Sequence, residues 1–329
     1  MNYATRRLKQ GLGLVLAAVS LSAGLTAALL PTAHAAAPQV KTTAPGFYRA
    51  MLGDFEVTAL SDGTVALPVD QLLIHTTPAH IKQVLADNFE SSPLETSVNA
   101  FLINTGSKLV LVDTGTSHYF GPSLGRLQES LKAAGYQPEQ VDEVYITHMH
   151  MDHIGGLMAG EARAFPNAIV RADKHDADFW LSQAQMDKAP AERKDSFKNA
   201  MAVLDPYVKA GKFLPFNGDT ELVPGIKAHA SYGHTPGHTT YVIESKGQRL
   251  VLWGDLMHVA ALQFPEPGIS VKFDSDIPAA LAQRKAAFGD AAAHGDMVGA
   301  AHLPFPGLGH LRKQGAGYKF VPLNYSVVN

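Results

Sequence analysis

A ten-residue run, Thr147–Gly156 (THMHMDHIGG), constrains this chain more than any other feature. Three histidines and one aspartate stand within six positions, after an apolar segment and before a glycine pair. Because side chains alternate along a strand, His148 and His150 should point to the same side. Asp152 and His153 then follow from the turn. Imidazole nitrogens and carboxylate oxygens are ligands that zinc and related ions accept, so the run predicts two adjacent metal sites.

The N-terminal segment 1–35 is predicted to be a secretory signal peptide. Three basic residues precede an apolar stretch, Gly11–Leu30, and Ala33-His34-Ala35 offers a cleavage site. The stretch is longer than usual, which leaves an uncleaved membrane anchor as the alternative. The Arg6-Arg7 pair suggests twin-arginine export, which the following polar residues weaken. Residues 36–329 are predicted to form a single exported domain, periplasmic or secreted, without a membrane segment after cleavage.

Composition limits the partners and the ligand chemistry. The net charge is −3, and removing three basic residues and no acidic ones from segment 1–35 gives −6. No basic stretch resembles a nucleic-acid footprint, so the expected partner is a small molecule. The chain contains 0 cysteines, and any metal must therefore be held by nitrogen and oxygen ligands.

Apolar strands and helices alternate in two blocks, which predicts an α/β fold with two sheets layered between helices. The two blocks share a phrase, LVLVDTG at Leu109–Gly115 and LVLWGD at Leu250–Asp255, which hints at a duplication. Phe47–Pro68 is predicted to form a strand-turn-strand unit with its turn at Ser61-Asp62-Gly63, and Val69–Pro93 a loop with a short helix. Further along the chain, Lys188–Val208 is predicted to be largely helical. Strands are predicted at Lys212–Phe216 and, at the C-terminus, at Tyr318–Val328.

Four further motifs accompany the histidine run. Gly233–His238 (GHTPGH) occupies a tight turn between predicted strands, and Asp113, Asp255 and His302 each end an apolar strand. Ligands in α/β folds gather at the carboxyl ends of strands. These residues are therefore expected to meet the histidine run at one edge of the sheets.

The ordered set HxHxDH, GHTPGH, a strand-ending Asp and a late His resembles the metallo-β-lactamase superfamily across nearly the whole mature chain. The resemblance implies a four-layer αββα sandwich with a dinuclear metal centre. It implies one ion held by His148, His150 and His234, and a second held by Asp152, His153 and His302. Asp255 would bridge both ions, which are expected to be Zn²⁺.

Within the superfamily the chain departs from the β-lactamases, which generally lack the bridging Asp and often use a Cys ligand. Four phrases are similar to the exported methyl parathion hydrolase group and its dihydrocoumarin-type lactonase relatives: Gly53-Asp54-Phe55, Ala59–Val65, Pro93–Ser97 and Asn324–Val328. The predicted activity is hydrolysis of lactones and aryl esters, with a hydroxide shared by the two ions attacking the carbonyl carbon. Asp255 and Asp152 are the candidate catalytic residues, Asp255 as proton carrier. A homodimer is implied by the resemblance alone.

The predicted substrate pocket consists of bulky residues in segments near the metal edge: Leu72, Phe120, Trp180, Phe197, His258 and Phe273. Three residues are predicted to support the ligands. Asp62 and Asp113 can each accept an N–H from a ligand histidine, with turn capping at a strand end as the alternative, and His238 is structural in its turn. A bulky His258 and Phe273 favour a flat lactone over a phosphotriester, which would be a weaker, promiscuous substrate. The alternatives are an organophosphate hydrolase, an acyl-homoserine lactonase and a non-catalytic exported metal-binding protein.

Overall fold

Two large sheets carry most of the strands, and helices border both. The computed structural model describes residues 37–117 and 119–327, so the predicted signal segment lies outside the described residues. The strands are β1 Phe47–Leu52, β2 Phe55–Leu67, β3 Leu73–Ile74, β4 Leu94–Asn104, β5 Leu109–Val112, β6 Glu143–Tyr145, β7 Met158–Ala159, β8 Ala162–Arg163, β9 Ile169–Arg171, β10 Thr220–Val223, β11 Ile226–Ala230, β12 Thr239–Ser245, β13 Gln248–Leu252, β14 Ser270–Val271, β15 Met297–Gly299, β16 Leu308–Gln314 and β17 Gly317–Pro322. The α-helices are α1 Val69–Leu72, α2 Pro78–Asp87, α3 Leu127–Ala133, α4 Met151–Ile154, α5 Lys174–Trp180, α6 Gln183–Lys188, α7 Lys194–Lys209, α8 Ala260–Gln263 and α9 Ile277–His294.

Both large sheets are mixed. The first has six strands in the order β1-β2-β4-β5-β6-β9, and the second has seven in the order β10-β11-β12-β13-β15-β16-β17. Each contains antiparallel hairpins that lead into a parallel step, β5 to β6 and β9 in the first sheet and β13 to β15 in the second. The two copies of the repeated sequence, Leu109–Gly115 and Leu250–Asp255, therefore occupy equivalent positions in the two sheets. They contain β5 and β13, each of which pairs in parallel with the next strand of its sheet.

Apolar side chains pack in three layers that define the sandwich. One cluster joins Val57 and Ile103 of the first sheet to Ile226 and Ile243 of the second. A second cluster covers the first sheet with α3 and α7, and a third covers the second sheet with α9, whose Phe288 is fully buried. Full burial of such side chains contributes roughly 1.5–3 kcal/mol each. The predicted αββα arrangement, two mixed sheets flanked by helices, is confirmed.

The N-terminal hairpin turns at a different place from the one predicted. β1 and β2 are joined at Gly53-Asp54, and Gly53 has a left-handed φ of 57° that suits a glycine. Ser61 and Gly63 instead flank a bulge inside β2, where the register with β4 shifts. Both glycines can take turn conformations, so composition alone did not distinguish the turn from the bulge.

Other boundaries also differ from the predictions. The segment predicted as a loop with a short helix contains the ten-residue α2, capped by Thr77. Pro190 and a 3₁₀ turn separate α6 from α7. Residues 212–216 make only isolated bridges to β9 and its extension, and the C-terminal strand is β17, which ends at Pro322. Within the described part of the chain, no helix is long and apolar enough to span a membrane.

Candidate metal centre and pocket

Loops that follow strand ends bring the predicted ligands together. His148 and His150 lie after β6, and α4 begins directly after His150 and carries Asp152 and His153. The loop between β11 and β12 supplies His234, and Asp255 and His302 follow β13 and β15. Two clusters result, His148–His150–His234–Asp255 and Asp152–His153–Asp255–His302, each with one ligand atom per residue within 4.8 Å of the others. These seven residues are called the ligand cage below.

Asp255 belongs to both clusters, and its two oxygens face different histidines. Its Oδ2 lies 3.6 Å from His148 Nε2 and 3.4 Å from His234 Nε2. Its Oδ1 lies 3.2 Å from both His153 Nε2 and His302 Nε2. The side chain is 3% exposed, so this division between the clusters is held inside the protein.

The cage fits two divalent cations. His234 Nε2 and His148 Nε2 approach His150 Nδ1 within 3.1 and 3.0 Å. In the neutral His234 ring that a metal ion requires, donation from Nδ1 to Asp274 leaves the lone pair on Nε2, directed at the same place as the other ligand nitrogens. His153 Nε2 and Asp255 Oδ1 are buried without hydrogen-bond partners among the described residues. Buried polar atoms are normally paired, and nitrogen and oxygen donors are those that zinc-like ions accept.

Hydrogen bonds from outside the cage fix the orientation of its histidines. Asp113 accepts from His153 Nδ1 at 2.8 Å, as predicted, and also from the backbone N–H and hydroxyl of Thr147. His302 Nδ1 donates to the Ser97 carbonyl at 3.0 Å. His238 Nδ1 donates to the Ser231 carbonyl, so its Nε2 can accept the N–H of Asp255 at 3.0 Å.

The prediction for Asp62 is wrong. Its carboxylate accepts from the backbone N–H groups of Thr116, Gly125 and Leu127, and from the Thr116 hydroxyl. All of these bonds hold the loop between β5 and α3, and none of the described contacts reaches a ligand histidine. Asp62 therefore stabilises a loop under the pocket and does not orient a ligand.

Two buried aspartates that the sequence reasoning missed also support the cage. Asp176 of α5 accepts from the backbone N–H of Met149 at 2.8 Å and of Gly237 at 2.6 Å, which ties together the two ligand loops. Asp274 accepts from His234 Nδ1 at 2.9 Å. Neither residue follows an apolar strand or stands near a ligand in the sequence, so no local pattern marks it.

The electrostatics of the cage separate its histidines into two groups. Burial lowers the pKa of His148 well below its ordinary value and that of His150 to about 3. Burial also opposes the charge on His234 and His302, but carboxylates outweigh it and raise their pKa values to about 9 and about 10. For Asp255, burial is likewise outweighed, because the surrounding histidines hold its pKa well below the usual range. The cage thus keeps its shared carboxylate ionised.

A cavity of about 300 Å³ opens onto Asp152, Asp255 and His302. Four of the six predicted pocket residues line it, and they are called the pocket wall below: Phe120, Trp180, His258 and Phe273. Additional lining residues that the sequence did not single out are Val65, Leu67, Val98, Thr116, Leu124, Arg193 and Ser196.

The two remaining pocket predictions are wrong in detail. Phe197 is 1% exposed and packs behind Trp180, with ring centroids 4.8 Å apart. Leu72 packs with Phe273 in a separate apolar cluster and does not line the cavity. Phe197 therefore supports a lining side chain from behind. His258 lies closer to the cage than predicted, with its Nε2 3.1 Å from Asp255 Oδ2.

A dinuclear metal site at the common edge of two mixed sheets defines a metal-dependent hydrolase. The chain belongs to the metallo-beta-lactamase superfamily, whose family model matches residues 94–287.

Known proteins agree with this assignment. A crystal structure of the hydrolase AbOPH, described as a member of the beta lactamase superfamily, has 33% identity and a TM-score of 0.83, covering 87% of this chain and all of that one. AidC, a dizinc quorum-quenching lactonase solved with a product, has 27% identity and a TM-score of 0.78, over 86% of this chain and 99% of AidC. An N-acyl homoserine lactonase from Bacillus cereus is 28% identical over 178 residues, which span 48% of this chain and 63% of that lactonase.

Proposed function

We propose that this protein is a dizinc hydrolase of lactones and aryl esters with a dihydrocoumarin-like shape, in the methyl parathion hydrolase group. The observation that carries the proposal is the cavity of about 300 Å³, whose lining combines the flat rings of Trp180 and Phe273 with the carboxylates of Asp255 and Asp152. Trp180 packs edge-on to His150 with ring centroids 5.5 Å apart, and Phe273 lies 5.8 Å from His258. Such walls favour a planar ring with its carbonyl directed at the cage.

The cage residues would hold the two ions, His148, His150 and His234 on one side and Asp152, His153 and His302 on the other, with Asp255 shared. Two bound divalent ions supply a hydroxide nucleophile at neutral pH and polarise the substrate carbonyl. The protein itself contributes orientation and exclusion of water, because the ring walls surround the cavity floor.

Asp255 is the proposed proton carrier. Its carboxylate lines the cavity, so it can accept the proton of the hydroxide that has added to the carbonyl and pass that proton to the leaving oxygen. His258 is positioned beside it, and burial lowers the pKa of this histidine, which keeps the ring neutral. A neutral His258 can donate one N–H to Asp255 or to a substrate oxygen while it forms part of the wall. Asp152 also reaches the cavity and is the second candidate catalytic residue.

Acyl-homoserine lactone hydrolysis is the second candidate. It is favoured by AidC, whose structure contains N-hexanoyl-L-homoserine, and by the Bacillus lactonases. This activity requires space for an acyl chain beyond the ring. A non-catalytic binding protein is disfavoured, because both clusters retain a full set of ligands.

A substrate panel on zinc-reconstituted protein tests the proposal. We expect kcat/KM for an aromatic lactone such as dihydrocoumarin to exceed that for methyl parathion and for acyl-homoserine lactones of increasing chain length. His302→Ala serves as the control for contaminating esterases. A phosphotriester preferred by more than about tenfold, equal to about 1.4 kcal/mol, would overturn it. A rise in rate with acyl-chain length would favour the second candidate.

Export and dimerisation remain separate proposals. The basic start, apolar stretch and cleavage motif of segment 1–35 support a periplasmic or secreted location. Cell fractionation with N-terminal sequencing of the mature chain tests the proposed export, and Ala36 is the expected N-terminal residue. Light scattering of the purified protein tests the second, and a monomer mass would contradict a dimer.

A further inference from the structure

We propose that Arg284 is a positioning residue for the metal centre. Its guanidinium holds Asp274, and Asp274 in turn holds the ligand His234 in place. The same guanidinium fixes the loop that carries part of the pocket wall. The inference rests on His234 acting as a metal ligand, as in the proposed function, but not on the identity of the substrate.

Arg284 occupies a place in α9 where an apolar residue would be expected. It stands in one buried stripe with Ala280, Phe288 and Ala291, and it is 0% exposed. Removing a charged group from water costs several kcal/mol unless partners compensate. A leucine or methionine here would avoid that cost, so a buried arginine needs a reason beyond packing.

The guanidinium of Arg284 is shared among three acceptors from the segment between β13 and α9. Its Nε donates to the Leu256 carbonyl, its Nη1 to the Ile269 carbonyl at 2.6 Å, and its Nη2 lies 3.5 Å from Asp274 Oδ2. The part of this segment between the two carbonyls begins just after the cage residue Asp255, includes His258 of the pocket wall and contains α8. Arg284 therefore holds both ends of this part against α9.

Asp274 transmits this position to the cage. Its side chain is fully buried, and its two oxygens have different partners, Oδ1 with His234 Nδ1 at 2.9 Å and Oδ2 with Arg284. The backbone couples the same segments, because Ser275 N–H donates to the His234 carbonyl at 3.0 Å. A carboxylate held at both oxygens can keep the imidazole ring in one orientation and one tautomer, with Nε2 directed into the cage.

The start of α9 also lies tightly against the His234 loop. Gly233 has a φ of 142°, and a Cβ at this position would come within 2.3 Å of the Ala280 backbone nitrogen. Helix, loop and ligand are thus packed without space for adjustment. A substitution at Arg284 should therefore shift the position of His234.

A comparison with the other carboxylate–histidine pair shows what is particular to this one. Asp113 holds His153 in the second cluster, but its remaining partners are the neutral N–H and hydroxyl of Thr147. Of these two carboxylates, only Asp274 also forms an ion pair with an arginine, Arg284. The positioning role that Arg284 has through Asp274 therefore concerns the cluster that contains His234, and the other cluster should change less.

The test measures metal binding directly, on purified protein loaded with Co²⁺ or Zn²⁺ and without substrate. Chelator competition yields two binding constants, and the visible absorption of Co²⁺ reports ligand geometry. For Arg284→Met and Asp274→Asn we expect one constant to weaken by about 10–100-fold, with the other within about twofold, and a changed Co²⁺ spectrum. The two changes combined should weaken that constant little more than either alone, because both act on His234 through the contact between Arg284 and Asp274. Lys285→Met, on the exposed side of α9, is the matched control.

The role would be overturned if Arg284→Met lowered the melting temperature but left both binding constants and the Co²⁺ spectrum at wild-type values. Should Arg284→Met not fold, Arg284→Lys provides the same test. A lysine retains the charge but cannot span three acceptors, so one weakened constant would support the proposal and two unchanged constants would contradict it. Because no substrate is used, failure of the proposed lactonase activity would leave this result interpretable.

Discussion

The ligand cage and the pocket wall meet at Asp255 but are built differently. Cage residues stand in loops that follow strands or, for Asp152 and His153, in the short α4. Buried carboxylates fix them by accepting hydrogen bonds, Asp113 and Asp274 from ligand histidines and Asp176 from the backbone of a ligand loop. Wall residues come from helices and long loops and are held mainly by ring contacts, as with Trp180 against its neighbours. The cage therefore has one working geometry, whereas the wall can change shape by repacking. Substitutions in the cage should therefore abolish metal binding and activity, whereas substitutions in the wall should change substrate binding by degrees.

The largest effect is expected from Asp255→Asn. The change removes the charge that faces four histidines of the cage and serves both clusters, so both ions should bind poorly. We expect kcat/KM for an aromatic lactone to fall by at least about 10³-fold, or about 4 kcal/mol of transition-state stabilisation. Metal content by mass spectrometry accompanies the kinetics, and His294→Ala is the exposed control. Two bound ions with activity within tenfold of wild type would show that the cage is not all-or-none.

A pH-dependent effect is expected at Asp176, which connects two cage loops. Burial raises the pKa of this carboxyl from 3.8 to about 6, against the opposing hydrogen bonds. Between these pH values the folded protein holds a proton that the unfolded chain has released. Stability from this group is therefore greatest below about pH 4 and falls as pH rises to about 6, by about 3 kcal/mol.

Urea unfolding of metal-free protein at pH 4 and pH 7 measures this effect. Wild type should lose about 3 kcal/mol more than Asp176→Asn over that interval, because the variant has no carboxyl to ionise. Asp178→Asn, exposed on the same helix, should follow wild type. Parallel pH profiles for wild type and Asp176→Asn would mean that the two loops are held together by other contacts.

A third prediction separates two aspartates that looked alike in the sequence. Asp113→Asn should weaken binding of one metal ion by about 10–100-fold, because the bond to His153 loses its charge. Asn tolerates the left-handed φ of 61° at this position, so the backbone should be unaffected. Asp62→Asn should instead cost about 1–3 kcal/mol of stability, through a buried N–H left without an acceptor, and leave metal affinity unchanged. Chelator competition and urea unfolding on both variants are the measurements. A similar loss of metal affinity in both would contradict the distinction drawn between them.

Only part of the fold and of the site could be predicted from the sequence. Two sheets between helices were predictable, because apolar runs mark strands. The spacing of the histidine run predicted a metal site, whereas the assignment of His234, Asp255 and His302 to it followed from the resemblance to the metallo-β-lactamase superfamily. Asp274 and Asp176 were missed because they reach the cage only through tertiary packing. Phe197 and Leu72 were assigned to the pocket, yet Phe197 packs behind Trp180 and Leu72 packs in a separate apolar cluster, since the direction of a helical side chain depends on what packs against it.

The smallest expected effect concerns Phe120, at the open side of the pocket wall. Its side chain is 51% exposed, so it can cover bound substrate but is not needed to hold the fold. Phe120→Ala should raise KM for an aromatic lactone by about fivefold, or about 1 kcal/mol of lost ring contact, with kcat within about twofold. Phe89 is fully exposed and outside the cavity lining, so Phe89→Ala is the matched control and should change neither constant. A fall in kcat without a change in KM would place Phe120 with the cage, because a residue that acts only on substrate binding should not slow the chemical step.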